Sequence, residues 1–221
     1  MANYQINFGS EKINIEFEYP SKNTSDITDK LDKLKKTNLS MDDLYQITLW
    51  KVDRCIQITE DTRKKLNLLA SINNLDKKAE IETRSVLRDL LPDNTLGNTG
   101  VRISMASTYL RFLNPKVFQI MDRHAYRAAF NYVASPHDYS SLTHEKQIDI
   151  YFKYLTELHN IEETGYHGYR VAFENLDRFL YDFDKFIGYK LSDNPQLETT
   201  EIEKKLKEFI AKQKDQNKRG K

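Results

Sequence analysis

The segment from Leu96 to Arg127 constrains the fold of this 221-residue chain more than any other part of its sequence. It predicts a turn at Gly100 between two helical patterns. The first of these patterns ends at Pro92-Asp-Asn-Thr, just before the turn. A mostly apolar run, Val117-Phe-Gln-Ile-Met, then leads to Asp122, which lies 22 residues after Gly100 and begins another helical pattern. The segment therefore predicts two helices joined by a tight turn, followed by a carboxylate at the start of a third.

Helical periodicity continues through most of the remaining sequence and indicates a mainly α fold. The longest apolar stripe runs from Ala172 to Ile187. Ser40-Met-Asp-Asp and Thr200-Glu-Ile-Glu have the form of capping boxes, each of which predicts a helix start. The polar segment from Asn160 to Arg170 has two glycines and three aromatic rings, which fits either a substrate-binding loop or a plain connector.

A short β-hairpin is predicted at the N-terminus, because apolar and polar residues alternate between Tyr4 and Tyr19 around Gly9-Ser10. Pro20 ends this pattern. The predicted domain organisation has three parts: the hairpin over residues 1–20, a helical domain over 21–197 with its helix–turn–helix at about 94–113, and a C-terminal helix with a basic tail over 198–221.

The turn and the later acid together resemble the signature of the helix-hairpin-helix DNA glycosylases. In that family a Leu-x-Gly-Val-Gly-x-Lys-x-Ala hairpin and an apolar helix precede a helix that begins Asp-x-His-Val-x-Arg. The residues of this chain that fall in matching positions are Gly100, Val101, Ala106, Leu110, Asp122, His124 and Arg127. The resemblance covers about 40 residues closely and implies a helical fold in two lobes, with Asp122 in the cleft between them.

The resemblance also implies roles for individual residues. Gly100, Val101, Arg102 and Ser104 would form the DNA-binding turn, whose backbone N–H groups and helix N-terminus face a phosphate. Arg102 replaces the second hairpin glycine, so its guanidinium would either hinder the backbone or contact the phosphate itself. Gly100 could equally serve only a tight turn between helices.

Asp122 is the expected catalytic residue, because a fixed carboxylate can stabilise the positive charge that develops on a sugar when an N-glycosidic bond breaks. It could also deprotonate the attacking water. An aspartate in this position is also an ordinary helix N-cap, and the two roles are compatible. His124 and Arg127 are expected to support the helix behind Asp122 rather than to react.

Ser104 occupies the position of the family's Schiff-base lysine, and a hydroxyl cannot form an imine with a sugar aldehyde. The resemblance therefore implies a monofunctional glycosylase, which uses water as the nucleophile and leaves an abasic site. Tyr45, Trp50, His167 and Tyr169 are candidates for holding a flipped base, although most aromatic residues must be packing groups.

Composition limits the other classes of function. The single cysteine, Cys55, allows no internal disulfide, and no His or Cys cluster has metal-ligand spacing, so neither a metal nor a cofactor is expected. The N-terminus lacks the basic and apolar regions of a signal peptide, and no apolar run is long enough for a membrane span, so a cytoplasmic protein is predicted. The formal net charge of +1 gives no general attraction to nucleic acid.

A local surplus of basic charge is present near the C-terminus, where residues 201–221 contain eight Lys or Arg and four acids. This segment fits a solvated tail or an auxiliary phosphate contact. Duplex DNA with a damaged or modified base is the expected partner, and no membrane partner is expected. Two alternatives remain open: a helix-hairpin-helix module that binds DNA or protein without catalysis, and a helical protein with no nucleic-acid partner.

Overall fold

Eight α-helices account for most of the residues described by the computed structural model, which are 2–8, 11–17, 38–52, 58–91, 101–133, 139, 141–193 and 195–219. The prediction of a mainly α chain is confirmed. The helices are α1 (Met41–Val52), α2 (Glu60–Leu68), α3 (Lys77–Leu90), α4 (Ile103–Leu113), α5 (Arg123–Ala129), α6 (His144–Thr164), α7 (Phe173–Ile187) and α8 (Thr199–Arg219). A short 3₁₀ helix, Leu69–Ser71, follows α2.

The chain divides into two compact units. The first unit contains Met1–Tyr19, Asp122–Leu142 and Phe152–Lys221. The second contains Pro20–Met121 and Thr143–Tyr151. Residues from both ends of the chain thus belong to the first unit, whereas the helices α1 to α4 belong to the second.

A three-stranded antiparallel sheet lies in the first unit, with the order β2 (Glu11–Phe17), β1 (Ala2–Phe8) and β3 (Arg170–Val171). Ala2 lies opposite Phe17 and Phe8 opposite Glu11 in the pairing of β1 with β2. The predicted turn residues, Gly9-Ser10, and Pro20 lie outside the described residues. Helix α8 contacts β2, so the C-terminal helix is packed within this unit.

Helix α7 carries the apolar stripe predicted between Ala172 and Ile187. Its buried apolar residues are Phe173, Leu176, Phe179, Leu180 and Phe183. The ring of Phe209 on α8 packs against Phe179, Phe183 and Phe186 with centroid distances of 5.5–6.2 Å. Each fully buried Leu or Phe contributes about 1.5–3 kcal/mol to folding. This helix is therefore the main packing element of the first unit, and it ends at Gly188 with φ +85°.

The capping box predicted at Ser40 is confirmed in the second unit. The backbone N–H of Asp43 donates to Ser40 Oγ at 3.1 Å, and Asp43 Oδ2 accepts the N–H of Ser40 at 2.8 Å. Helix α1 is joined to α4 by Thr48 Oγ1, which lies 2.6 Å from the hydroxyl of the fully buried Tyr109. Because Thr48 donates to Leu44 O, its oxygen is the acceptor of the Tyr109 hydroxyl.

The Tyr109 hydroxyl provides a test of this packing. Tyr109→Phe is expected to lower the free energy of unfolding by about 1 kcal/mol, because it removes one buried hydrogen bond while Thr48 keeps its bond to Leu44 O. Urea unfolding followed by circular dichroism would measure the change. Tyr45→Phe on α1, the helix that carries Thr48, is the control, since Tyr45 is exposed and an exposed substitution changes stability by less than about 0.5 kcal/mol. Equal stabilities of the two variants would contradict the assignment.

The segment between α4 and α5 passes through the interior, as its apolar character predicts. Val117, Phe118 and Met121 are at most 2% exposed. The N–H of Met121 donates to Ser107 Oγ at 3.0 Å, and the Tyr151 hydroxyl donates to Gln119 O at 3.1 Å. These bonds fix the backbone of the second unit immediately before Asp122.

Two sequence-based details are wrong. Helix α6 continues to Thr164, so only the second half of the predicted loop, from Asn160 to Arg170, is a connection. The helix ends because Gly165 adopts φ +84° while its N–H still donates to Ile161 O. Helix α8 begins at Thr199 rather than after Thr200, because Glu198 O already accepts the first backbone bonds of that helix.

Candidate functional site

Asp122 is the N-cap of α5 in the first unit. Its Oδ1 accepts the backbone N–H of Ala125 at 2.9 Å, and the residue is partly exposed. This bond satisfies one of the N–H groups that the first turn of a helix leaves without an intrahelical partner. The cap therefore holds a carboxylate in one orientation at the surface.

The charge of Asp122 affects the pKa values of two phenols. Burial and, next in size, the negative charge of Asp122 raise the pKa of Tyr181 to about 12. The same two causes raise the pKa of the buried Tyr139 above its ordinary value. Both phenols therefore keep their protons at neutral pH, so they can donate hydrogen bonds near the carboxylate but cannot serve as bases.

Arg127 forms a fully buried ion pair with Asp184 of α7. Its Nε donates to Asp184 Oδ1 and its Nη2 to Asp184 Oδ2, both at 2.9 Å. A bidentate pair of this kind fixes both the distance and the orientation of the two side chains. It therefore holds α5, and the Asp122 cap at its start, rigidly against α7.

The remaining donors of Arg127 bind the connection that follows α7. Nη1 donates to Lys190 O at 2.9 Å and to Asp193 O at 3.3 Å, and Nη2 also donates to Tyr189 O at 3.0 Å. The guanidinium thus has acceptors on all three of its nitrogens, as a buried charge requires. The burial of Arg127 is consistent with support for the helix rather than a reaction.

His124 contacts the same buried carboxylate. Its Nδ1 lies 2.6 Å from Asp184 Oδ2, and its ring meets the edge of Tyr181 with a centroid distance of 5.2 Å. Since both oxygens of Asp184 also accept from Arg127, the carboxylate acts as an acceptor and Nδ1 of His124 carries the proton. Asp122, His124, Arg127, Tyr181 and Asp184 therefore form one site in the first unit, which we call the Asp122 site.

Sequence reasoning missed Asp184 and Tyr181. The available signal was weak: Asp184 follows Leu180 by four residues, so an acid lies on the apolar stripe of α7, where an unpaired charge would be costly. Only the fold shows that the partners of Asp184 are residues 57 and 60 positions earlier in the chain.

The predicted DNA-binding turn belongs to the second unit. Gly100 lies outside the described residues. Arg102 is the exposed N-cap of α4, its side chain makes no capping bond, and no acid is present in the first turn. Val101 is fully buried, so only its backbone could meet a ligand. Ser104 is partly exposed, and its carbonyl accepts from Thr108 Oγ1 at 2.7 Å.

The candidate aromatic residues lie in both units. Tyr45 is 46% exposed on α1, and the side chain of Trp50 lies outside the described part. In the first unit, Tyr169 is buried, whereas His167 binds Asn131 Oδ1 through Nε2 at 3.0 Å. Burial lowers the pKa of His167. Tyr169 is therefore a packing residue, and His167 is engaged within its own unit.

The described residues contain no group of three or more His, Cys, Asp or Glu side chains that could hold a metal ion. None of the helices in the same described ranges is both long enough and apolar enough to cross a membrane. Comparison of the chain with models of protein families, with curated proteins and with solved structures finds no match.

Proposed function

We propose that this protein is a monofunctional DNA N-glycosylase, a divergent relative of the helix-hairpin-helix glycosylases, that removes a damaged or modified base from duplex DNA. The observation that carries the proposal is the partly exposed carboxylate of Asp122 at the start of α5, a helix that the buried Arg127–Asp184 pair holds in place. A reacting carboxylate needs this fixed position, because charge stabilisation depends on dipoles and charges that do not reorganise during the reaction.

The chemistry follows from the Asp122 site. When the bond between C1′ and the base nitrogen breaks, its electron pair leaves with the base and positive charge develops on the sugar. The carboxylate of Asp122 stabilises that charge, and the oxygen of a water molecule forms the new bond to C1′. The proton that this water loses passes to solvent or to the departing base. Ser104 supplies no amine, so no covalent imine forms and the DNA strand stays intact.

The N-terminus of α4 is the proposed phosphate contact. The backbone N–H groups after Gly100 and the exposed guanidinium of Arg102 would face the phosphate, and the first turn of α4 carries no acid to repel it. Val101 and Ser104 would contribute through their backbone. The biological setting is repair, or defence against foreign modified DNA.

A non-catalytic helix-hairpin-helix module is the second candidate, and Arg102 is the observation that favours it. Its long exposed side chain occupies the position of a hairpin glycine, so a charged contact can replace close backbone approach. Such a module would bind DNA or a protein without releasing a base.

Incubation of the purified chain with duplex oligonucleotides that each carry one modified base tests the proposal. Alkali then cleaves any abasic site, and a denaturing gel resolves the products. We expect alkali-dependent cleavage of at least one substrate, and its loss in Asp122→Asn. Salt-dependent binding without cleavage of any substrate would identify the module instead. The absence of both binding and cleavage would contradict both functions.

A further inference from the structure

The two ring nitrogens of His124 have different surroundings. Nδ1 lies against the buried Asp184, and the side chain as a whole is 15% exposed. Among the described residues, no group forms a hydrogen bond with its Nε2. An imidazole held in this way presents a lone pair at Nε2, because Nδ1 carries the ring proton.

Asp184 determines this tautomer. Arg127 donates to both of its oxygens, so Asp184 has no proton to offer and can only accept from His124. A carboxylate behind a histidine also stabilises the imidazolium that forms when the ring accepts a proton. The pair of Asp184 and His124 resembles the acid and histidine of a serine hydrolase, in which the histidine accepts a proton from the nucleophile.

We propose that Nε2 of His124 accepts the proton of the attacking water, and that Asp122 acts only through its charge on the developing sugar cation. This inference rests on the function proposed above and divides the chemistry of that reaction between two residues. His124 lies in the first turn of α5, which Asp122 caps, and the His124 ring contacts Tyr181, whose pKa is raised in part by the charge of Asp122. Tyr181 therefore lies close to both His124 and Asp122.

The step is balanced as a hydrolysis. Water oxygen forms a bond to C1′, and the electron pair of the C1′–N bond leaves with the base. The water proton moves to Nε2 of His124, which becomes an imidazolium, and then passes to solvent or to the departing base. The net reaction adds the elements of water across the N-glycosidic bond and returns His124 to its neutral form.

Charged and titratable groups of two described helices, α7 and α5, lie near His124. Tyr181 and Asp184 of α7 contact the ring directly. On α5 itself, Arg127 shares the Asp184 carboxylate, and Asp122 lies at the start of the helix.

His124→Asn is the decisive variant. An asparagine amide nitrogen stands near the position of Nδ1 and can still donate to Asp184, but nothing replaces Nε2. We expect base release in single-turnover assays to fall by about 10²-fold or more, and the thermal unfolding midpoint to stay close to that of the wild type. Added imidazole should restore part of the rate of His124→Ala, because free imidazole can supply the missing proton acceptor.

His159→Asn is the matched control. His159 on α6 also lies near a carboxylate, with its Nδ1 3.6 Å from Glu162 Oε2, and it has no part in the Asp122 site. Its rate of base release is expected to equal that of the wild type. A His124→Asn variant that kept the wild-type rate would overturn the inference while leaving the proposed function intact.

The tautomer gives a readout that does not depend on catalysis. In ¹⁵N spectra of histidine-labelled protein, the signal missing from His124→Asn identifies His124. We expect the signal of a ring whose proton is on Nδ1. A proton on Nε2 would overturn the inference, whatever the activity. If the ring is protonated on Nδ1 but the wild type releases no base from any substrate, the proposed function has failed and the inference is rejected with it.

Discussion

Replacing Asp184 with asparagine is expected to lower the free energy of unfolding by about 3–5 kcal/mol, because it leaves the charge of Arg127 buried without a counter-charge. Both side chains are fully buried, so water cannot replace the missing carboxylate oxygen. The asparagine amide would also place an N–H donor against the guanidinium of Arg127 or against His124. Both of these groups need an acceptor at that position. Urea unfolding followed by circular dichroism measures the loss.

An exposed ion pair supplies the control for this prediction. Glu145 on α6 binds Arg88 of α3, and the two side chains are 58% and 50% exposed. Glu145→Gln is therefore expected to cost at most about 1 kcal/mol. The double variant Arg127→Met, Asp184→Leu is expected to be more stable than Asp184→Asn alone, because it removes both buried charges. A cost for Asp184→Asn as small as that for Glu145→Gln would contradict the buried pair.

Asp122→Asn is expected to reduce base release by at least about 10²–10³-fold, the loss seen when one fixed electrostatic contact to a transition state is removed. Its stability should stay near that of the wild type, because asparagine caps helices as well as aspartate does. Asp122→Ala should lose activity and also about 1 kcal/mol of stability, since alanine cannot accept the N–H of Ala125. Rates and unfolding free energies measured on the same samples separate the two roles.

Asp76→Asn is the matched control for the cap. Asp76 is the N-cap of α3 and accepts the N–H groups of Lys78 and Ala79, as Asp122 does for Ala125. It has no proposed role in catalysis, so the variant should keep the wild-type rate. Base release by Asp122→Asn at the wild-type rate would leave Asp122 as a cap only and would remove the basis of the proposed reaction.

Local sequence signals were sufficient for much of the fold. The reciprocal bonds between Ser40 and Asp43 and the buried face of α7 follow from patterns within a few residues, because caps and amphipathic faces depend on neighbours along one helix. The N-cap geometry of Asp122 was also predicted from such a pattern. Helix boundaries were predicted less accurately: Glu198 O, rather than Thr200, accepts the first backbone hydrogen bonds of α8.

The composition of the Asp122 site could not be predicted in the same way. Asp184 reaches His124 and Arg127 only because α5 and α7 pack together, and no periodicity indicates which charged residues a tertiary contact will pair. The pattern Asp-x-His-x-x-Arg identified three members of the site. The carboxylate that orients two of them came from the structure alone.

The contacts of Arg127 with Tyr189, Lys190 and Asp193 have a consequence for local unfolding. These three residues are exposed, and an exposed connection usually opens at little cost in free energy. Here its carbonyl groups are bound to a guanidinium that also holds α5 and α7. The connection can open only if the buried charge of Arg127 loses acceptors. We therefore expect its resistance to hydrogen exchange and proteolysis to be similar to that of the core helices and higher than that of other surface segments.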